Sequence, residues 1–342
     1  MKQAVLASAE QIIFQDIDFN YILEPNQVLI EIKKIGVCGS DIHAYKGKHP
    51  FTPLPVVQGH EYSGVVKEVG SDVKTIKIGD KVTGRPQVTC GTCQPCLAGK
   101  YNICTNLRVE GFQAGGVAQD YFILPEDRVY VVDNTITLDE IAMIEPAAVG
   151  AHATSLISNI KSKNIVIAGA GPIGNLIAQF CKIRGAKNII ITDYNTFRLA
   201  ILNDLGFINT INLSNESIEE GIKRILGDES FQVGIEAVGH QSALDSLINT
   251  IEKGGELIIV GVYEESPTIN MGFVGEHELI IKGSMMYKHE DYLCTIEHLN
   301  KGNLHLKPMI TQHFDFSQYN EAYQYIEENA KTTLKVIIDI NS

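Results

Sequence analysis

The sequence predicts a two-part α/β protein, an all-β region followed by a doubly wound parallel sheet. Three observations predict it. Short β-type runs broken by glycine and proline fill residues 1 to about 145. Beyond about Ser162 apolar strand-like runs alternate with helix-length segments, the rhythm of βαβ units under helices on both faces. A glycine-rich turn, GAGPIG, directly follows the first of those runs.

In chain order, the first region offers VLIEIKKIGV at 28–37, YSGVVKEVG at 62–70, DKVTG at 80–84 and AQDYFILP at 118–125 as strands. The second begins with the strand NIVIAG and the helix PIGNLIAQFCKIRG, then the strand NIIITD and the helix NTFRLAILNDLG. INTINL, SIEEGIKRILG, QVGIEAVG, QSALDSLINTIEKG and ELIIVGV continue the alternation, and ELIIKG at 278–283 supplies a sixth strand. The remainder, about 287–342, holds helical stretches near 290–301 and 317–329 and ends in LKVIIDI. That last run has the pattern of a strand that completes the first domain. No internal repeat or low-complexity segment interrupts the chain.

A length of 342 residues accommodates two cores. No run of eighteen apolar residues occurs, and the apolar start MKQAVLASAEQ meets Glu10 too early for a secretory segment. A cytoplasmic protein is expected, and seven cysteines suit a reducing compartment. The net charge of −13 argues against nucleic acid or an anionic membrane as partner.

Cys90, Cys93, Cys96 and Cys104 stand in CGTCQPCLAGKYNIC. Thiolates at this spacing reach one tetrahedral Zn²⁺, and four of them leave no open position, so the site reads as structural. Gly91, Pro95 and Gly99 let the backbone fold around an ion. A disulfide framework and coincidental loop thiols are the competing readings.

In the glycine turn, Gly169 permits the tight bend, Gly171 lets a pyrophosphate approach the backbone, and Gly174 lets helix pack on strand. Pro172 and Ile173 open the helix whose N-terminus faces the phosphate charge. Asp193, nineteen residues after Gly174, would accept both ribose hydroxyls and repel a 2′-phosphate, so NAD is expected over NADP. The alternative for Asp193 is a helix N-cap. Arg198 reads equally as an adenine contact or a solvated helix residue.

Cys38 in VCGSDIH, His60 and Glu61 in QGHEYSG, and Glu145 in IEPAAVG form a second, scattered set. A thiolate, an imidazole and a carboxylate with one position left over make an open catalytic zinc site. Each also has a plain reading: a buried inert thiol, a satisfied core histidine, an acid near a helix start.

Taken in order, CGSDIH, GHE, the four-cysteine run, EPAAVG, GAGPIG and the acidic strand end resemble the zinc-containing medium-chain alcohol dehydrogenase superfamily. Within it, the chain is similar to the sorbitol (polyol), threonine and sugar-acid dehydrogenases. The resemblance implies a GroES-like β domain, 1–146 with 287–342, bearing a zinc lobe at about 86–106, and a Rossmann-type NAD domain at 147–286. It implies two zinc ions per chain: one on Cys38, His60, Glu61 and Glu145, with Glu145 bound directly or through water, the other on the four cysteines. Ser40 and His43 resemble a proton relay, although Ser40 and Asp41 also read as a helix cap. The implied reaction is oxidation of a secondary alcohol by NAD⁺, in a homotetramer or homodimer. L-threonine 3-dehydrogenase is the alternative substrate reading, and a non-catalytic zinc- and NAD-binding protein the alternative class.

Some positions depart from the relatives. Met286 stands where sorbitol dehydrogenases carry a substrate arginine, and Ala44 where they carry an aromatic residue. Gln87 stands where threonine dehydrogenases carry a functional histidine, and an amide cannot transfer protons as imidazole does. YKGKHPF and ITQHFDF look more like the sugar-acid enzymes; Lys46, Lys48 and His49 either meet a carboxylate or phosphate or are ordinary solvated loop residues.

Overall fold

The structure is a computed structural model that describes residues 1–340. Two compact units divide it, one made of Met1–Glu145 and the chain from Leu306 onward, the other of Pro146–His305.

In the first unit a seven-stranded sheet sets Val129–Val131, Lys81–Gly84, Glu61–Val69, Gln27–Gly36, Lys335–Asp339 and Ile310–Asp315 side by side, with Tyr121–Pro125 also pairing to Gln27–Gly36. The final strand, Lys335–Asp339, lies antiparallel to Gln27–Gly36 and parallel to Ile310–Asp315. Val336, Ile337 and Ile338 are buried, which is why an apolar run this short seeks the middle of a sheet.

The reading of 1 to about 145 as all-β misses several elements. A hairpin pairs Lys2–Ser8 with Gln11–Asp16. Helices occupy Gly39–Tyr45, Leu138–Ala142 and Ile144–Ser155. Gly39–Tyr45 starts after Cys38, whose backbone N–H donates to Asp41 Oδ2 at 3.0 Å. Pro146 falls in the first turn of Ile144–Ser155, where its missing N–H costs no helical hydrogen bond.

The second unit is a six-stranded parallel sheet in the order Thr210–Asn212, Asn188–Asp193, Asn164–Ala168, Val233–Glu236, Glu256–Ile259, Ile280–Gly283. Every residue of Asn164–Ala168 and of Val233–Glu236 is buried, as strands covered on both faces require. Strand order reverses between these two, the place where open α/β sheets bind ligands at their carboxyl ends.

The boundary differs from the expected 287. Helix His289–Asn300 packs within the second unit through Tyr292, Thr295, Ile296 and Leu299. His152 meets Asp291 at 2.8 Å, and the Gln179 side chain exchanges two hydrogen bonds with the His305 backbone. These polar ties lie among apolar side chains and carry no sequence period, so the boundary is written in contacts alone.

Gly174 is fixed by packing, since a Cβ there would run into the Gly169 carbonyl oxygen. Gly174→Ala is expected to lower unfolding free energy by about 1–3 kcal/mol, read as a shifted urea midpoint at unchanged slope.

Candidate active site

Three groups of side chains carry chemistry. In the first unit, Cys38, His60 and Glu61 place one ligand atom each within 4.8 Å of one another. Cys38 follows the strand Gln27–Gly36 and is the N-cap of Gly39–Tyr45, while His60 and Glu61 sit where the chain enters the strand Glu61–Val69. His60 and Glu61 are buried. Asp41 Oδ1 lies 3.4 Å from His60 Nδ1, an ion-pair distance without hydrogen-bond alignment. Burial opposes protonation of His60, but Asp41 and Cys38 outweigh it and hold its pKa well above the usual range.

Glu61 has a partner that the sequence does not announce. Lys335, on the last strand, donates to Glu61 Oε1 at 2.8 Å, to Oε2 at 2.6 Å and to the Val37 carbonyl at 3.0 Å. Both side chains are almost fully buried, at 3% and 1% exposure. Burial works against the lysine charge, yet Glu61 and Cys38, with Glu145 a smaller contributor, raise its pKa above the ordinary value. Glu61 carries this ammonium on both oxygens, so the carboxylate expected to bind metal is shared with a lysine. Glu61 also lies over Gly36, where any Cβ would collide with its carboxylate.

Glu145 is buried on the first turn of Ile144–Ser155 and close enough to Lys335 to act on it electrostatically. It lies outside the 4.8 Å group. Ser40 and His43, both partly exposed, stand three residues apart on Gly39–Tyr45 and share a helix face. The His60 imidazole beside the Cys38 thiol is a donor set suited to a borderline-soft cation such as Zn²⁺, with Asp41, 3.4 Å from Nδ1, to orient the ring.

The second group is the lobe. Cys90, Cys93, Cys96 and Cys104 also converge within 4.8 Å. Sulfur separations of 3.5 Å for Cys104 and Cys90 and 3.8 Å for Cys93 and Cys104 rule out disulfide bonds there. They approach the edge of about 3.8 Å that a tetrahedron with Zn–S bonds near 2.3 Å demands. Backbone N–H groups of Thr92 and Cys93 pull the Cys90 pKa down to about 5, and those of Thr105 and Cys96 lower Cys93. Burial and the Cys93 thiol push Cys96 up to about 12. Strands Gln87–Val88 and Arg108–Val109 close the base of the lobe.

A third cluster, Asp139, His313 and Asp339, already holds a cation of its own. Lys34 Nζ is 2.8 Å from Asp339 and 3.7 Å from Asp139, so the group reads as an ion-pair network.

In the second unit Gly169 takes φ +103°, a backbone state that glycine adopts freely, and donates its N–H to Thr192 at 2.8 Å. Gly171 is the N-cap of Pro172–Ile183, with Ile173 and Gly174 in its first turn. A Cβ at Gly171 would meet no protein atom closer than Arg198 Nη1 at 3.8 Å, so packing does not require glycine here. Bare backbone at a helix N-terminus fits a cradle for pyrophosphate. Asp193 Oδ2 accepts from Ala170 N and Oδ1 from Asn195 N, each at 2.8 Å, which fixes its carboxylate beside the turn. The N-cap of Thr196–Asp204 is Asn195, so the capping reading of Asp193 is corrected. Arg198 stands across the turn from Gly171.

The sequence matches two family models, the alcohol dehydrogenase GroES-like domain over residues 24–134 and the zinc-binding dehydrogenase domain over 172–301. It is 31% identical over 305 residues to L-threonine 3-dehydrogenase of Shewanella baltica, covering 88% of this chain and 89% of that one. The chain belongs to the zinc-containing medium-chain alcohol dehydrogenase superfamily.

Three solved structures share the fold of this dehydrogenase. ECK1772 of Escherichia coli, an oxidoreductase of unknown specificity, has a TM-score of 0.94 at 30% identity, over 100% of this chain and 99% of its own. The alcohol dehydrogenase rspB of E. coli CFT073, solved with NADH, gives 0.91 at 28%, over 99% of each. Galactitol-1-phosphate dehydrogenase of E. coli gives 0.90 at 27%, over 99% and 100%. Among the described residues no helix is long and apolar enough to cross a membrane.

Sequence reasoning missed Lys335 altogether. A lysine leading an otherwise apolar run, LKVIIDI, was the available signal, since a buried ammonium needs an anion. Of the loop basics, Lys46 pairs with Glu327 at 2.5 Å, Lys48 is exposed, and only His49 turns inward. In metal-free protein Lys335→Met is expected to cost about 3–5 kcal/mol by leaving Glu61 buried and unpaired. The double variant with Glu61→Gln should recover part of that loss in urea unfolding, giving a coupling that neither single change reports.

Proposed function

We propose that this dehydrogenase oxidises a secondary alcohol of a polyol, sugar acid or similar metabolite with NAD⁺ as hydride acceptor. The observation that carries the reading is the convergence of Cys38, His60 and Glu61 within 4.8 Å, with His60 and Glu61 buried. Cys38 and His60 hold a zinc ion there, with Glu145 completing the set directly or through water and Glu61 kept in reserve by Lys335. The four lobe cysteines hold a second, structural zinc.

Bound zinc supplies Lewis acidity that lowers the pKa of an alcohol, and NAD⁺ supplies the hydride acceptor. The chain's own residues do the remainder. Asp41 holds the His60 ring in place for ligation. Ser40 and then His43 carry the alcohol proton outward along one face of Gly39–Tyr45, from the pocket towards solvent. Gly169, Gly171, Pro172, Ile173 and Gly174 present backbone to the pyrophosphate, Asp193 accepts the ribose hydroxyls, and Arg198 lies over the adenosine side of the turn.

Threonine oxidation is the second reading, favoured by the name of the S. baltica relative. The buried amide of Gln87 counts against it, because it cannot replace an imidazole in proton transfer. The resemblance to the superfamily supports a homodimer or homotetramer, and seven unbridged cysteines support a cytoplasmic setting.

Metal analysis should give two zinc ions per chain. Cys38→Ser should keep the fold and one zinc while losing at least about a thousandfold in kcat/KM; full activity in protein of verified metal content would sink the zinc assignment. NADH formation at 340 nm across polyols, aldonic acids, threonine and simple alcohols identifies the substrate class. NAD⁺ should outperform NADP⁺ by about tenfold or more in kcat/KM, and a wide preference for NADP⁺ would remove the role given to Asp193.

A further inference from the structure

The loop that follows helix Gly39–Tyr45 folds back over the metal-ligand group. His49 N–H donates to the His43 carbonyl at 3.2 Å, and Lys48 N–H donates to the same oxygen at 2.9 Å. From the other side the Gln113 side chain donates to the Phe51 carbonyl at 2.8 Å, while its own oxygen accepts from Val109 N. A loop held at both ends has a defined inner face.

That inner face presents His49. Its ring stacks on Phe112, centroids 4.9 Å apart with the planes at 28°, and Phe112 meets the His60 ring at 5.0 Å. Phe112 is buried at 5% exposure. His49 therefore stands two ring-to-ring steps from the ligand His60 along one aromatic wall. Its Nδ1 is committed to Thr52 Oγ1 at 2.7 Å, which fixes the ring and leaves Nε2 to meet a ligand.

We propose that His49 Nε2 is the specificity group for this site, hydrogen-bonding a hydroxyl that the substrate carries on a carbon away from the one being oxidised. The inference rests on the dehydrogenase reading and narrows it to a neutral polyhydroxylated alcohol. Burial and the nearby His43 hold the imidazole below its usual pKa, so it offers a hydrogen bond without a charge. Lys46, the other loop candidate for a carboxylate, is exposed and paired with Glu327. Phe112 sets the spacing between His49 and His60, so a simple alcohol reaches the ligand end but not the anchor.

The test uses the zinc-loaded enzyme and its His49→Ala and His49→Gln variants, with zinc content verified. Sorbitol, galactitol, xylitol, the matching aldonates and 2-butanol are the probes. His49→Ala should lose about tenfold to a hundredfold in kcat/KM for the polyol preferred by the wild type, mainly through KM, with 2-butanol changed less than about twofold. His49→Gln, which keeps a donor, should recover most of the loss. Calorimetric affinity for the same polyol should fall by the same factor. Equal losses on polyol and 2-butanol, no loss on either, or a loss confined to aldonates would overturn the proposal, as would a wild type that binds none of the polyols. If no alcohol is oxidised while polyol binding still depends on His49, the dehydrogenase reading fails and the subsite stands.

Discussion

The first unit turns on one buried ion pair. Glu61 and Lys335 are 274 positions apart in sequence and in contact in space, each removed from water and each holding the other's charge. An unpaired charge at that depth would be costly, so the strand that brings the lysine cannot be an optional addition to the sheet. Its position between Gln27–Gly36 and Ile310–Asp315 sets where the ammonium points, and the bare Cα of Gly36 makes room for the carboxylate it must reach. Cys38 and His60 flank the same carboxylate, so the geometry offered to a metal inherits its precision from that pair.

The two thiol-bearing sites illustrate opposite ways of building a metal centre. In the lobe every ligand comes from one short stretch, and local turns with backbone N–H groups aimed at sulfur complete the work. At the other site the ligands come from separate elements, and Asp41 and Lys335 tune them from a second rank. A local site is cheap to specify and closed. An assembled site costs more packing and can leave a coordination position for a reactant.

The same contrast explains what could be read beforehand. The parallel sheet was legible strand by strand because apolar runs and glycine turns are local signals, and the lobe cysteines because their spacing is. The glycine turn was legible too, down to the difference between Gly174, which packing demands, and Gly171, which it does not. Helix Gly39–Tyr45 was legible only through the cap that Ser40 and Asp41 suggest, since it is short and its apolar positions show no clear period. Lys335, the stacking of His49 on Phe112 and the domain boundary at His305 depend on which elements become neighbours, and no window of sequence contains that information.

The discontinuity of the first unit has a consequence for how the protein is made. On the ribosome, Cys38 and His60 emerge early, and Glu61 with them, whereas the lysine that neutralises Glu61 follows 274 positions later. For most of translation the nascent chain carries an unmatched acid beside a thiol and an imidazole. The early segment cannot settle into its final state until the whole second unit has passed through the exit tunnel. A chain stopped before Lys335 would lose the cation that Glu61 needs together with the strand that pairs with Gln27–Gly36, so the first unit waits on the synthesis of the second.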